Sequence, residues 1–194
     1  MNELLTYEES VAMAIYSINA SDLYTALKIC KSADSIEHVD QRLNFMHAAI
    51  LNQLGLYKDS IELYEKVLAE DSGNELARFH LGSACFFSGD IKKAREEWDS
   101  EGYFGAAIEA FYLINDEQFD EAIAKFSQFI QSNKNYPELN PDLERFSLML
   151  EDKLDNIKAI EKNEKEEKLE RDISTEEVMD DSTVDALLSI YKKN

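Results

Sequence analysis

The sequence predicts an all-α chain of repeated helix hairpins, and three observations carry that expectation. Hydrophobic residues make up 44% and charged residues 31% of the 194 positions, the balance of a globular chain with a core. Glycine and proline number only 6 and 2, which starves a turn-rich β-sandwich or barrel of its connections. A small residue followed four positions later by a bulkier one recurs from Ala26 to Ser60, Ala94 and Ala122, at steps of 34, 34 and 28 residues. Periods in this range mark stacked repeats.

Each repeat has the same grammar. The third is the clearest: Leu81-Gly82 in one amphipathic helix, a turn at Gly89-Asp90, then Ala94 and Trp98 in a second helix. The second has Ala48, then Gly55-Leu56-Tyr57, then Ser60 and Tyr64. The first has Ala14, then Ser21-Asp22-Leu23, then Ala26 and Cys30, and the fourth has Ala110, Phe119, Ala122 and Phe126. The small residue lets two antiparallel helices approach closely, and the larger one, on the same face, fills the space beside that contact. One such hairpin cannot bury its apolar face alone, so neighbours stack and share a core.

The 28-residue step implies that the third unit's second helix stops early, near Glu101-Gly102. Gly102 and Gly105 would then supply the chain reversal, with a local change of curvature. A slipped alignment is the alternative. After Tyr136, Asn140-Pro141 reads as an N-cap followed by Pro at the first helical position. Leu143, Phe146, Leu150, Leu154, Ile157 and Ile160 continue at three- and four-residue spacing, as a helix capping the end of the stack would. The run Glu161–Lys168 is helix-prone but has nothing to bury, a solvated extension or a flexible tether. Ser182 could cap a short amphipathic segment with Val184, Leu187, Leu188 and Tyr191 on one face. The expected organisation is a repeat domain over 1–136, a capping helix over 137–160, and an acidic, partly disordered tail over 161–194 that carries this segment.

These periods and residues resemble the tetratricopeptide repeat (TPR), with Leu-Gly in its first helix and a small-then-aromatic pair in its second. Glu75–Gly102 matches best, through Leu81-Gly82, Gly89 and Ala94. Gln41–Asn74 matches through Gly55, Tyr57 and Tyr64 but has His47-Ala48 where Leu-Gly is favoured. Tyr7–Asp40 and Tyr103–Tyr136 are degenerate, and Pro137 comes a few residues later than the family's proline. The resemblance implies a right-handed superhelical solenoid of about four hairpins and a C-terminal cap. It says little about function, because such repeats serve many unrelated complexes.

Charge excludes several functions. With 40 acidic against 20 basic residues the net charge is −20, so there is no basic footprint for nucleic acid and an anionic membrane would repel the chain. Met1–Glu9 has neither the basic nor the apolar region of a signal peptide, and no apolar run reaches membrane-spanning length. Cys30 and Cys85 lie 55 residues apart without metal-ligand spacing and read as buried, reduced thiols, with a disulfide between them as the alternative. A cytoplasmic location follows as an expectation.

Chemistry finds no support. His38, His47 and His80 lack carboxylate or thiol partners at ligand spacing. His80 and Cys85, five residues apart, fall about 140° apart around one helix. No phosphate-cradling glycine loop or nucleophile elbow is present. The expectation is a non-enzymatic chain without cofactor or metal.

In the family that the chain resembles, first helices line the inner groove. The inward positions are then Val11, Ile15 and Ile18; Arg42, Phe45, Ala49 and Asn52; Phe79, Ser83, Phe86 and Phe87; and Phe104, Ala107, Ile108 and Phe111. Ile15, Arg42, Phe45, Asn52, Phe79, Ser83, Phe86 and Phe111 are the candidate partner-binding residues. Only Arg42 and Asn52 could hold carboxylates, so an acidic peptide is disfavoured against an apolar or basic segment. Each fully buried phenylalanine contributes about 1.5–3 kcal/mol, enough for a few to anchor a partner. The alternative is that these rings form the core between repeats. In size, acidity and repeat number the chain is similar to the chaperones of type III secretion translocators, although its long charged C-terminus departs from them. The functional expectation is a protein-interaction module, a chaperone or assembly adaptor, with self-association left open. A scaffold subunit that works through its convex face or acidic tail is the alternative.

Overall fold

Four turns of the chain share one backbone motif, and they set its architecture. Ser21 (φ 60°), Gly55 (φ 74°), Gly89 (φ 88°) and Glu117 (φ 59°) all adopt left-handed backbone. At each, the following residue's N–H reaches back five positions: Asp22 to Ser17, Leu56 to Leu51, Asp90 to Cys85 and Gln118 to Leu113, at 2.8–3.0 Å. This closure satisfies the last carbonyls of one helix and sends the chain into the next. The turns step by 34, 34 and 28 residues, so the short step is real and not a slipped alignment.

The computed structural model describes residues 5–33 and 41–191, with side chains to Ser32 and from Gln41 to Glu166. His38 and the side chains of Val184–Tyr191 lie outside these. Among the described residues every regular element is helical. The first hairpin is α1 (Tyr7–Asn19) and α2 (Leu23–Ala33), the second α3 (Gln41–Gln53) and α4 (Tyr57–Glu70). The third is α5 (Glu75–Phe87) and α6 (Ile91–Glu97), followed by α7 (Gly105–Asn115) and α8 (Phe119–Ser132). A 3-10 turn, Pro137–Leu139, leads into α9 (Asn140–Tyr191). The chain divides into two compact units, through Phe111 and from Tyr112.

In the first unit, the repeated small and bulky residues form the core. Ala14, Ala26, Ala48, Ser60 and Ala94 are fully buried, as is Tyr64, and Cys30 is nearly so. Ser60 Oγ donates to the Ala48 carbonyl at 2.8 Å, so the close contact of α3 and α4 also carries a hydrogen bond. Val11, Ile29, Leu43 and Ile50 gather around Ala14 and Ala26. Thr6 and Glu9 form a reciprocal capping box that starts α1.

The third hairpin departs from expectation. α6 ends at Glu97 rather than near Glu101, because Trp98 turns into extended backbone (φ −82°, ψ 131°). Its indole enters the interior, where Nε1–H donates to the Phe79 carbonyl at 3.0 Å. Of the two glycines assigned to the reversal, neither has positive φ. Gly105 is required instead by close approach, since a Cβ there would collide with the Ser100 carbonyl.

In the second unit α8 packs on α9. Phe119, Ala122, Phe126 and Phe129 are buried on α8, and Leu143 and Leu150 on α9. Asn133 joins the two helices, donating through Nδ2 to the Tyr136 carbonyl at 2.6 Å and to Asn140 Oδ1 at 2.7 Å. Asn140 is therefore helical and an acceptor for Asn133, and not the N-cap expected. α9 does not stop at Ile160. It runs for 52 residues without a separate start at Ser182. Along the described stretch, Lys162 and Glu166 pair at 3.8 Å one turn apart, the kind of contact that supports a solvated helix.

Candidate partner-binding site

On the first unit a cavity of about 320 Å³ is lined by Val11 and Ile15 of α1, Gln41, Arg42, Phe45 and Met46 of α3, Val67 of α4, and Asn74 and Leu76 at the start of α5. The hairpin turns put α1, α3 and α5 in equivalent places. One stripe of each first helix therefore contributes to a common wall, which is mostly apolar.

Ile15, Arg42 and Phe45 of the expected set meet in this cavity. Ile15 is 46% exposed. Phe45 is half-buried, its ring edge-on to Tyr64 (centroids 5.6 Å apart) and to His80 (5.5 Å). Arg42 is not an open cation: it donates to Glu8 Oε1 at 2.9 Å and lies over the Tyr7 ring at 5.3 Å, linking α3 to α1. Exposed pairs of this kind contribute up to about 1 kcal/mol.

The other candidates lie elsewhere. Phe79, Ser83 and Phe111 are buried, which corrects their assignment as open groove wall. Phe79 stacks on Phe104 at 4.5 Å, and Phe111 stacks on Trp98 at 5.3 Å. Ser83 Oγ donates to the Phe79 carbonyl within α5 at 3.0 Å. Half-buried Phe86 packs against Phe111 and Trp98 at 5.3 and 5.9 Å. Asn52 is half-buried outside the cavity, with an enclosed Oδ1 that accepts no hydrogen bond among the described residues. Phe79 and Phe111 are thus packed between helices, Phe79 against Phe104 and Phe111 against Trp98, while Phe86 keeps part of its ring exposed.

Leu76 and Met46 were missed. Leu76 precedes Phe79 by three positions on α5, and Met46 follows Arg42 by four on α3, so the same helical spacing could have found both.

Behind the cavity wall, His80 stacks on Tyr64 with centroids 5.7 Å apart and planes 4° from parallel. Burial among aromatic rings lowers its pKa to about 4, so it is a neutral imidazole at pH 7. Burial also pushes the Cys85 thiol up to about 11, far from a reactive thiolate. Among the described residues no group of His, Cys, Asp or Glu side chains could hold a metal ion, and no helix is long and apolar enough to cross a membrane.

No family model and no curated protein matches the sequence. A solved structure titled "MamA RS-1 ArsTM double mutant", a TPR-like helical protein, is similar with a TM-score of 0.50 and 14% identity, over 77% of this chain and 97% of that one. The likeness is one of fold: the chain is all-α and TPR-like.

Proposed function

We propose that this chain is a non-enzymatic interaction module that holds a segment of another protein on the face formed by α1, α3 and α5. The observation that carries this reading is the apolar cavity where Ile15, Phe45, Met46 and Leu76 converge. Concave sites lined by apolar side chains with a few polar groups are where ligands are held. The bound segment is apolar and flanked by basic residues, because a chain of net charge −20 repels an acidic one. The same chemistry suits a chaperone or assembly adaptor that shields an apolar stretch of its client.

Selection of peptides from a random display library on the immobilised chain tests this. The selected peptides are expected to be apolar with Lys or Arg flanks, and to bind Ile15→Glu at least about tenfold more weakly. Ile15 is exposed, so the substitution leaves the fold intact by circular dichroism. Peptides that bind Ile15→Glu as well as wild type would move the site away from this face, toward a scaffold role for other surfaces.

A further inference from the structure

The short α6 leaves a second cavity. It has seven residues where α4 and α8 have fourteen. A space of about 270 Å³ remains between the turn entering α5 and the connection from α6 to α7. All of it lies within the first unit.

Its walls are of two kinds. The floor is aromatic: Phe79 and Phe104 stack at 4.5 Å, Trp98 lies beside Phe79, and Tyr103 stands edge-on to Phe104 at 5.3 Å. The charged wall has three carboxylates, Glu75, Glu97 and Asp99, against one guanidinium, Arg78. Arg78 is already committed, donating to the Ser72 carbonyl at 2.8 Å and meeting Glu97 at 3.4 Å. The Glu97 side chain is only 24% exposed, and that long contact is its one hydrogen bond among the described residues. A half-buried carboxylate held by one long ion pair has unused acceptor capacity.

An anion would meet three carboxylates here, and a neutral apolar group would desolvate Glu97 without compensation. A cation supplies the missing donors, while an aromatic floor attracts its charge and covers its alkyl stem. We propose that this cavity binds a cationic side chain, an arginine or lysine presented by a partner protein, its charged head against Glu97 and Glu75 and its stem across Phe104 and Tyr103. The site is separate from the α1–α3–α5 face and does not rest on it.

Trp98 is the single tryptophan of the chain, so one indole N–H resonance reports on the cavity. The full chain is titrated with Nα-acetyl-arginine methylamide, the lysine analogue, and the uncharged norleucine analogue. A saturable movement of the indole resonance is expected with the arginine or the lysine compound and not with norleucine. Glu97→Gln is expected to weaken binding about tenfold. Because Glu97→Gln also frees Arg78, Glu75→Gln is the second variant: Glu75 is exposed, so the fold is kept and binding weakens. Ile15→Glu leaves the response unchanged, which separates this site from the other face. No saturable movement, an equal response to norleucine, or wild-type binding by both glutamate variants would each overturn the proposal.

Discussion

Gly82 lies so close to the indole of Trp98 that a Cβ at Gly82 would overlap Nε1, Cδ1 and Cε2 of the ring. The obstacle is a buried ring tied by its Nε1–H to the Phe79 carbonyl, not the free end of a flexible chain. Gly82→Ala is therefore expected to destabilise by about 1–3 kcal/mol, despite alanine's better helix propensity. Urea unfolding measures this. A combined Gly82→Ala/Trp98→Leu chain should lose less than the two single losses together. Full additivity would show that the residues do not meet.

The hairpin turns give opposite predictions for glycine. Glu117 holds a left-handed conformation that costs a side-chain-bearing residue about 1 kcal/mol. Glu117→Gly should therefore raise the unfolding midpoint, and Gly89→Ala, at φ 88°, should lower it by a similar amount. Midpoints that moved in the same direction would contradict the shared turn geometry.

Two hydroxyls in the second hairpin are treated differently by the fold. Ser60 Oγ has a buried acceptor, the Ala48 carbonyl, so Ser60→Ala is expected to cost about 0.5–1.5 kcal/mol. The Tyr64 hydroxyl is enclosed without a hydrogen bond among the described residues. Burial accordingly raises its pKa. Tyr64→Phe is expected to be neutral or stabilising, and a loss above about 1 kcal/mol would show that the hydroxyl has a partner.

His80 makes stability depend on pH in one direction. Its folded pKa, about 4, is below the value of 6.5 it has when unfolded. Above pH 6.5 it is neutral in both states and contributes nothing. As pH falls from 6.5 toward 4, the unfolded chain takes the proton and the folded chain does not, so stability declines, by on the order of 2–3 kcal/mol at most. The carboxyls of Glu9 and Asp22 are held below the ordinary carboxylate range by hydrogen bonds from Thr6 and Thr25, so their contribution is lost only at more acid pH. His80→Phe should flatten the slope between pH 6.5 and 4.5, which unfolding curves across that range would reveal.

The fold was largely legible because small residues must meet in a helix hairpin. Ala26, Ser60, Ala94 and Ala122 are where spacing alone put them, and all are fully buried. The early end of α6 was legible as a 28-residue step, but the residue that ends it was not. Trp98 reads in sequence as one more member of the small-then-aromatic pattern, and nothing there tells that its indole leaves the helix to fill the place beside Gly82. The groove was half legible for a related reason. Helical spacing says that Phe45 and Phe79 share a stripe with their neighbours, but not which stripe is covered. Phe104, delivered by an irregular connection, covers Phe79, and no periodicity announces a residue outside a helix. The cavity beside Glu97 was hidden for the same reason.

Within the first unit each helix packs on the helix before it, the one after it, or the next but one. Contacts of such short sequence separation need little loop closure before they form. Folding should thus be fast, and the chain need not open all at once. The α1–α2 hairpin packs on the rest of this unit through α3, so it can open while α3 to α6 remain, and the helices of the unit have different lifetimes. A partner seated across α1, α3 and α5 would bridge those segments. It would slow amide exchange in α1 and α2, acting as a clasp on the time axis as well as in space.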